Sequence, residues 1–357
     1  MTVLIFLIII AVLILVHEFG HFIAAKRNGV LVEEFGIGFP PRLFGIKKGE
    51  TLYSINLLPI GGFVKVYGEE YHEADKKKGQ FEKLKKRGFV YKSPWQRALI
   101  IVAGIAGNFI LAWVLISYLL TQGVPQKTNK VTIQQVLPDS PAEKVGLMPQ
   151  DEIKRVVVDG KTIKIDQPSD LISISDKQAG RVITVIVVRN NKEIHADVIP
   201  RKNPPQDQGP LGIAISSFEE KKYPWFEAPI VGFTQTVDIT RRIIVELGKI
   251  IGQVITLQKP QVDVSGPIGI ARFTGQAVRL GTNAVIELTA LLSLNLAVIN
   301  ILPFPALDGG RLMFVFYEWV SRKRINKNVE KYVNLVGIII LLSLAVIISI
   351  NDIIKIT

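Results

Sequence analysis

The chain has 357 residues, 48% of them hydrophobic and 21% charged, which excludes a disordered or purely electrostatic protein and leaves room for two or three modules. Its 43 Lys and Arg against 31 Asp and Glu give a net charge of +12, but the basic residues flank apolar blocks and carry no nucleic-acid signature, so no nucleic-acid partner is expected. Cysteine is absent, so thiolate chemistry is excluded and any metal must be held by His, Asp or Glu.

The apolar residues gather in four blocks instead of spreading periodically, as they would in a soluble core. The first, Val3 to Ala25, has only His17, Glu18 and His21 as ionisable members and is long enough to cross about 30 Å of hydrocarbon. No basic residue precedes it and no short cleavage pattern follows, so it reads as a retained anchor. Within it, His17-Glu18-Phe19-Gly20-His21 puts two imidazoles one helical turn apart on one face, able to share a zinc ion. Glu18, adjacent and offset, is placed to act on a water there as a general base. Three such side chains at membrane depth cost several kcal/mol unless they have partners or a function, which favours the zinc reading over a structural hydrogen-bond cluster.

Residues 26–97 carry fifteen Lys or Arg and are expected on the cytoplasmic side. The second span, Ala98 to Leu120, offers Ala103, Gly104, Ala106 and Gly107 as a small-residue surface for close helix approach. Residues 121–287 lie outside in this topology. Val131 to about Pro200 reads as a small mixed domain, with strands at Val182–Arg189 and Glu193–Ile199, turns at Asp159-Gly160 and Asn190-Asn191, and a short helix near Pro141–Val145. A Pro-rich boundary at Pro200, Pro204, Pro205 and Pro210 follows. Ile230, Phe233, Val237, Ile244, Leu247, Ile251 and Val254 then recur at helical spacing, which suits a helix on the membrane surface and equally an ordinary packing helix.

The third span, Leu288 to Leu307, carries Asn295 and Asn300 and leads through Pro303 and Pro305 to Asp308-Gly309-Gly310. The prolines interrupt the helix, which is tolerated at membrane depth only beside protein or a water-filled cavity. A catalytic zinc takes three protein ligands. With His72 and His195 in polar segments outside the apolar blocks, Asp308 is the best third ligand, although a capping carboxylate is its plainer reading. The amides of Asn295 and Asn300 can orient a substrate backbone or simply bond between helices. Residues 311–331 carry six basic residues, expected in the cytoplasm, and Val333 to Ile350 is the fourth span.

Together, HEFGH in the first span, FGIGFPPRLFG at 35–45, LPIGGFVKVYGE at 58–69 and NLAVINILPFPALDGG at 295–310 resemble the site-2 protease family of intramembrane zinc metallopeptidases, and more closely its bacterial branch typified by the regulator of sigma-E protease. The resemblance covers nearly the whole chain. It implies that His17, His21 and Asp308 are zinc ligands, Glu18 the base, and Asn295 and Asn300 substrate-positioning residues. It also implies that residues 56–68 form a membrane-associated β-hairpin, with Gly61-Gly62 permitting the bend and Phe63-Val64 on an edge that holds extended substrate. The outer domain within 121–216, with Ser140–Leu147, Asp151-Glu152-Ile153 and Asp159-Gly160, looks like one bacterial PDZ domain, a peptide-binding module.

The expected fold is thus an α-helical polytopic membrane protein, with four transmembrane helices, a membrane-associated β-hairpin and an inserted extracytoplasmic PDZ domain of α+β type. Its divisions are 1–25, 26–97, 98–120, 121–216, 217–287, 288–310, 311–332 and 333–350. The expected activity is hydrolysis within the transmembrane segment of single-pass membrane proteins, as in regulated intramembrane proteolysis of a trimmed anti-sigma factor or clearance of signal-peptide remnants. The resemblance places it in the bacterial inner membrane, with both termini and the PDZ domain outside and the site towards the cytoplasm. The alternative is a non-proteolytic PDZ-containing membrane scaffold with a structural or metal-carrying site.

Overall fold

A computed structural model describes residues 1–68, 84, 86–205, 208–256, 258 and 265–354, and in it the chain divides into two units, residues 1–119 with 224–357 and residues 120–223. His72 lies outside the described residues.

In the first unit the apolar blocks become helices. They are α1 (Thr2–Arg27), α2 (Pro94–Gln122), α7 (Thr282–Ile301) and α9 (Lys327–Ile354), and each has a stretch long and apolar enough to cross a membrane. Helix α1 buries Ile9, Leu13, His17, Ala24 and Ala25, while Val3, Leu4, Ile8 and Val12 remain exposed. A helix that is apolar on its outer face as well as its packed face suits lipid as its solvent. Lys26 and Arg27 close its last turn, where cations complement the dipole. At the start of α2, Ser93 and Gln96 exchange capping hydrogen bonds, Gln96 N–H to Ser93 Oγ at 3.3 Å and Ser93 N–H to Gln96 Oε1 at 3.2 Å, around Pro94.

Between α1 and α2 run two long strands, β1 (Val32–Lys48) and β2 (Thr51–Val66), joined by a tight turn at Gly49-Glu50, where Gly49 has φ +64°. Both strands bend, so residues 34–37 gain two partners each: 62–65 on one side and 52–55 on the other. The sheet therefore departs from the expected hairpin at 56–68. The reversing turn is at Gly49-Glu50, and Gly61, at φ +81°, bends β2 so that Phe63–Val66 returns beside the start of β1. A Cβ on Gly61 would meet Ile14 at 2.8 Å, so the same glycine lets the bend lie on α1.

The third apolar block departs from expectation in length: α7 ends at Ile301, with Leu302 extended, instead of running on to Leu307. Pro303 and Pro305 cannot supply helical N–H donors, and Ala306 adopts φ +71° before a new helix, α8 (Asp308–Ser321), begins. Asn334 Oδ1 on α9 accepts from Ala306 N–H at 3.3 Å, satisfying one backbone group of this break. The residues expected as loop after 310 are thus largely helical. Helix α8 is tied to α2 by a buried ion pair, Arg97 Nη2 to Glu318 Oε2 at 2.6 Å.

The periodic segment after the Pro-rich boundary forms α5 (Ala228–Ile255), which leaves Ile230, Phe233, Val237, Ile244 and Ile251 exposed. It meets α2 through Trp113, whose Nε1–H donates to Pro229 O at 2.8 Å and whose ring lies 5.6 Å from that of Phe233. Helix α6 (Pro267–Leu280) starts at a glycine cap with no side chain. Asp352 at the end of α9 substitutes for one, accepting from Gly266 and Gly269 N–H at 2.9 and 2.8 Å.

The second unit contains β3 (Val124–Val136), α3 (Pro141–Lys144), β4 (Glu152–Val158), β5 (Lys161–Lys164), α4 (Pro168–Lys177), β6 (Ile183–Arg189), β7 (Lys192–Val198) and β8 (Ile213–Lys221). The strands pair in the order β7-β6-β4-β3-β8, with β5 on β4, over a core that includes Val131, Ile133, Ile153, Val156, Leu171 and Val185. Asn190 and Asn191 both have positive φ, as a two-residue hairpin turn between β6 and β7 requires. Ser140 Oγ caps α3 by accepting from Glu143 N–H at 3.2 Å, and Arg189 forks onto buried Asp151 with two contacts of 2.7 Å.

Candidate metal centre

Close approach of α1 and α2 sets the site. A Cβ on Gly20 would fall 2.1 Å from the Ala103 carbonyl oxygen and one on Gly104 2.3 Å from His21 Nε2, so only glycine permits these backbones and this imidazole to be where they are. The break after Ile301 then brings α8 to the same place, with Asp308 as its first residue.

Three potential ligand atoms converge. His17 Nε2 lies 3.0 Å from Asp308 Oδ2, His21 Nε2 lies 3.3 Å from the same oxygen, and the two Nε2 atoms are 3.1 Å apart. Among the described residues these three side chains form the group that could hold a metal ion. Tetrahedral zinc with bonds of about 2.0–2.1 Å to His and carboxylate requires ligand atoms about 3.3 Å from one another, so the spacing fits the ion. The hydrogen-bond pattern fits as well. His21 Nδ1 lies 2.9 Å from the Ile100 carbonyl, which can only accept, so the proton is on Nδ1 and Nε2 of the neutral ring offers a lone pair. Asp308 Oδ2 is buried without a hydrogen-bond partner. A lone pair and an orphaned carboxylate oxygen facing each other in a buried site are a donor set for a cation.

Glu18 faces the same cavity, of about 210 Å³, lined by Phe63, Val64, Ile100, Ile101 and Arg311 with the three candidate ligands. Its Oε2 accepts from Val64 N–H at 3.0 Å, so the returning segment of β2 orients the carboxylate. Phe63 and Val64 therefore sit at the centre. Gly61 and Gly62 do not line the cavity; they let β2 lie against Ile14 and Leu15 of α1. Asn300 comes within 3.5 Å of His17 Nε2 through its Nδ2. Asn295 does not line the cavity: five residues along a helix rotate a side chain by about 140°, so the two amides cannot share a face.

Three contributors went unnoticed in the sequence. The Ile100 carbonyl leaves no side-chain signal. Arg311, three residues after Asp308, follows it by one helical turn onto the cavity wall. Asn108, fully buried on α2 with its amide 3.4 Å from His17 Nδ1, was legible as a lone amide within an apolar block.

Residues 5–344 match the model of peptidase family M50. A Clostridium perfringens protein whose name marks it as a candidate zinc metalloprotease is 36% identical over 349 residues, covering 98% of this chain and 97% of its own length. The regulator of sigma-W protease RasP of Bacillus subtilis is 31% identical over 424 residues, covering 99% and 98%, and the zinc metalloprotease RasP of Bacillus licheniformis is 29% identical over 426 residues, covering 99% and 98%. These matches decide against the non-proteolytic scaffold. The chain belongs to peptidase family M50, the site-2 proteases, and is an integral membrane zinc metalloprotease.

Proposed function

We propose that His17, His21 and Asp308 hold the zinc, that Glu18 is the general base, and that the reaction is hydrolysis of a peptide bond within the transmembrane segment of a single-pass membrane protein. The observation that carries this reading is the convergence of three ligand atoms within 4.8 Å of one another, two from the apolar helix α1 and one from the start of α8, beside the Glu18 carboxylate. Zinc, when bound, polarises the scissile carbonyl and makes water acidic enough to lose a proton near neutral pH. Glu18, held by Val64 N–H, accepts that proton and returns it to the leaving amide nitrogen. No acyl-enzyme is needed. Asn300, whose amide reaches His17 Nε2, steadies the substrate backbone.

A transmembrane helix hides its carbonyls in internal hydrogen bonds, so the substrate must unwind before attack. Its extended form pairs with the Phe63–Val66 segment, a reading supported by that segment lining the cavity and forming an outer strand of the β1–β2 sheet. The sheet lies in the membrane interface. Ile37, Phe39, Leu43, Phe44 and Ile46 are exposed along it, which favours lipid over water. The protein sits in the bacterial inner membrane with both basic loops cytoplasmic and the termini outside. The second unit is an extracytoplasmic PDZ domain that takes a peptide or excludes substrates still carrying their outer domain, and its sheet with two capped helices supports that assignment. The substrate class is a trimmed membrane regulator, such as an anti-sigma factor, or a signal-peptide remnant. The name of the Bacillus subtilis relative supports the former.

The test is cleavage of a tagged single-span reporter in proteoliposomes, with the cut site located by mass spectrometry. Wild type is expected to cut within the span, and Glu18→Gln to lose cleavage by at least about 10²-fold at equal zinc content. Equal cleavage by the variant would overturn the assignment.

A further inference from the structure

We infer that Asn108 is the positioning residue for His17, accepting a hydrogen bond from His17 Nδ1–H through its amide oxygen and so fixing the tautomer in which Nε2 faces the metal. The inference rests on the zinc-site reading above and adds to it an outer partner from α2.

Two observations carry it. Asn108 is 0% exposed, and its Oδ1 is buried with no hydrogen-bond partner, while its Nδ2 is drawn 3.4 Å from His17 Nδ1. In that orientation the amide nitrogen donates to Nδ1, which leaves the proton of a neutral His17 on Nε2, the atom that must bind metal, and leaves the oxygen orphaned. Amide oxygen and nitrogen are assigned from the surrounding network. Exchanging them removes the tautomer conflict and gives the amide oxygen a donor: Oδ1 accepts from Nδ1–H, and His17 Nε2 becomes a lone pair directed at Asp308 and His21.

The geometry on α2 is consistent with this role. Ile100, Gly104 and Asn108 recur every four residues and so lie on one face of the helix. The Ile100 carbonyl accepts from His21 Nδ1–H at 2.9 Å, Gly104 clears the space that His21 occupies, and Asn108 stands at His17. One helix thereby supplies an acceptor to the remote nitrogen of each imidazole, an arrangement that orients metal-binding histidines and raises their basicity. Ser293 Oγ on α7 donates to the Asn108 carbonyl at 2.8 Å, fixing that turn of α2 from the other side.

The test is zinc affinity by chelator competition on the purified full-length protein in detergent, with the thermal midpoint of each metal-free form measured alongside. Asn108→Leu keeps the branched skeleton, though it is bulkier, and removes the acceptor; it is expected to weaken zinc binding about 10–100-fold. Asn108→Asp keeps the shape and an acceptor and removes the donor, so it is expected to bind zinc close to wild type, an outcome that a role as a donor would not produce. If the Leu variant fails to fold, the Asp variant decides alone. His17→Ala separates the two readings: retention of zinc by that variant would overturn the metal site and this inference with it. If His17→Ala loses zinc while Asn108→Leu binds like wild type, or while Asn108→Asp is impaired, the role of Asn108 is overturned and the metal site stands.

Discussion

Gly104→Ala separates stability from activity. The added Cβ would lie 2.3 Å from His21 Nε2 and 2.5 Å from its Cε1, against an ordinary contact of 3.4 Å or more, so imidazole and helix must part by about 1 Å. Overpacking of this kind costs about 1–3 kcal/mol, while glycine to alanine inside a helix recovers about 1 kcal/mol, so the net loss of stability is at most about 2 kcal/mol. Catalytic groups tolerate displacements of about 0.5 Å, and a 1 Å error costs about 10²-fold in rate. The expected variant is therefore folded, with a modestly lowered thermal midpoint, weakened zinc binding and about 10²-fold less reporter cleavage. Gly248→Ala on α5 is the control: its Cβ would meet no protein atom within 4 Å, so activity is expected unchanged. Wild-type zinc affinity and cleavage in Gly104→Ala would refute the claim that this glycine makes room for the ligand.

The Arg97–Glu318 pair, with both side chains about 10% exposed, ties α8 to α2. Arg97→Met strands the carboxylate and is expected to cost about 3–5 kcal/mol, whereas Arg97→Met with Glu318→Leu should recover most of it; denaturation midpoints of the single and double variants decide, and a double variant no better than the single one would contradict this. The Arg87 guanidinium, bonded to Glu50 at 2.6 and 2.8 Å, holds the Glu50 carboxyl below its ordinary pKa of 4.5. A depressed folded pKa stabilises fully above the unfolded value, and the contribution is lost as pH falls through 4.5 and then through the lower folded value. Because Glu50 is 38% exposed, the effect is under about 1 kcal/mol; Glu50→Gln should remove that part of the acid-side slope in thermal midpoint, and an unchanged slope would count against it.

The helices were legible because lipid leaves a simple signature: an unbroken apolar stretch can satisfy its backbone only as a helix. His17, Glu18 and His21 stood out for a related reason, being expensive where they are. The end of α7 was harder. Its apolar block runs to Leu307, and although Pro303 and Pro305 announced a break, hydropathy alone could not say that the helix stops at Ile301 and that Asp308 opens a new one. The β1–β2 sheet was misplaced because Gly61-Gly62 and Gly49-Glu50 both look like turns, and only the double pairing of residues 34–37 distinguishes a bend from a reversal. Asn295 and Asn300 were treated alike, although helical rotation brings only the second to His17. On α2 the small-residue face with Gly104 was legible, but the Ile100 carbonyl and the Asn108 amide escaped notice, the first because it leaves no side-chain signal.

X-ray absorption at the zinc edge tests the site most directly. Wild-type protein is expected to show two imidazoles among nitrogen and oxygen neighbours at about 2.0–2.2 Å and no sulfur shell. His17→Ala should lose one imidazole contribution. A wild-type spectrum without imidazole scattering, or one unaltered in His17→Ala, would contradict the zinc site at His17, His21 and Asp308.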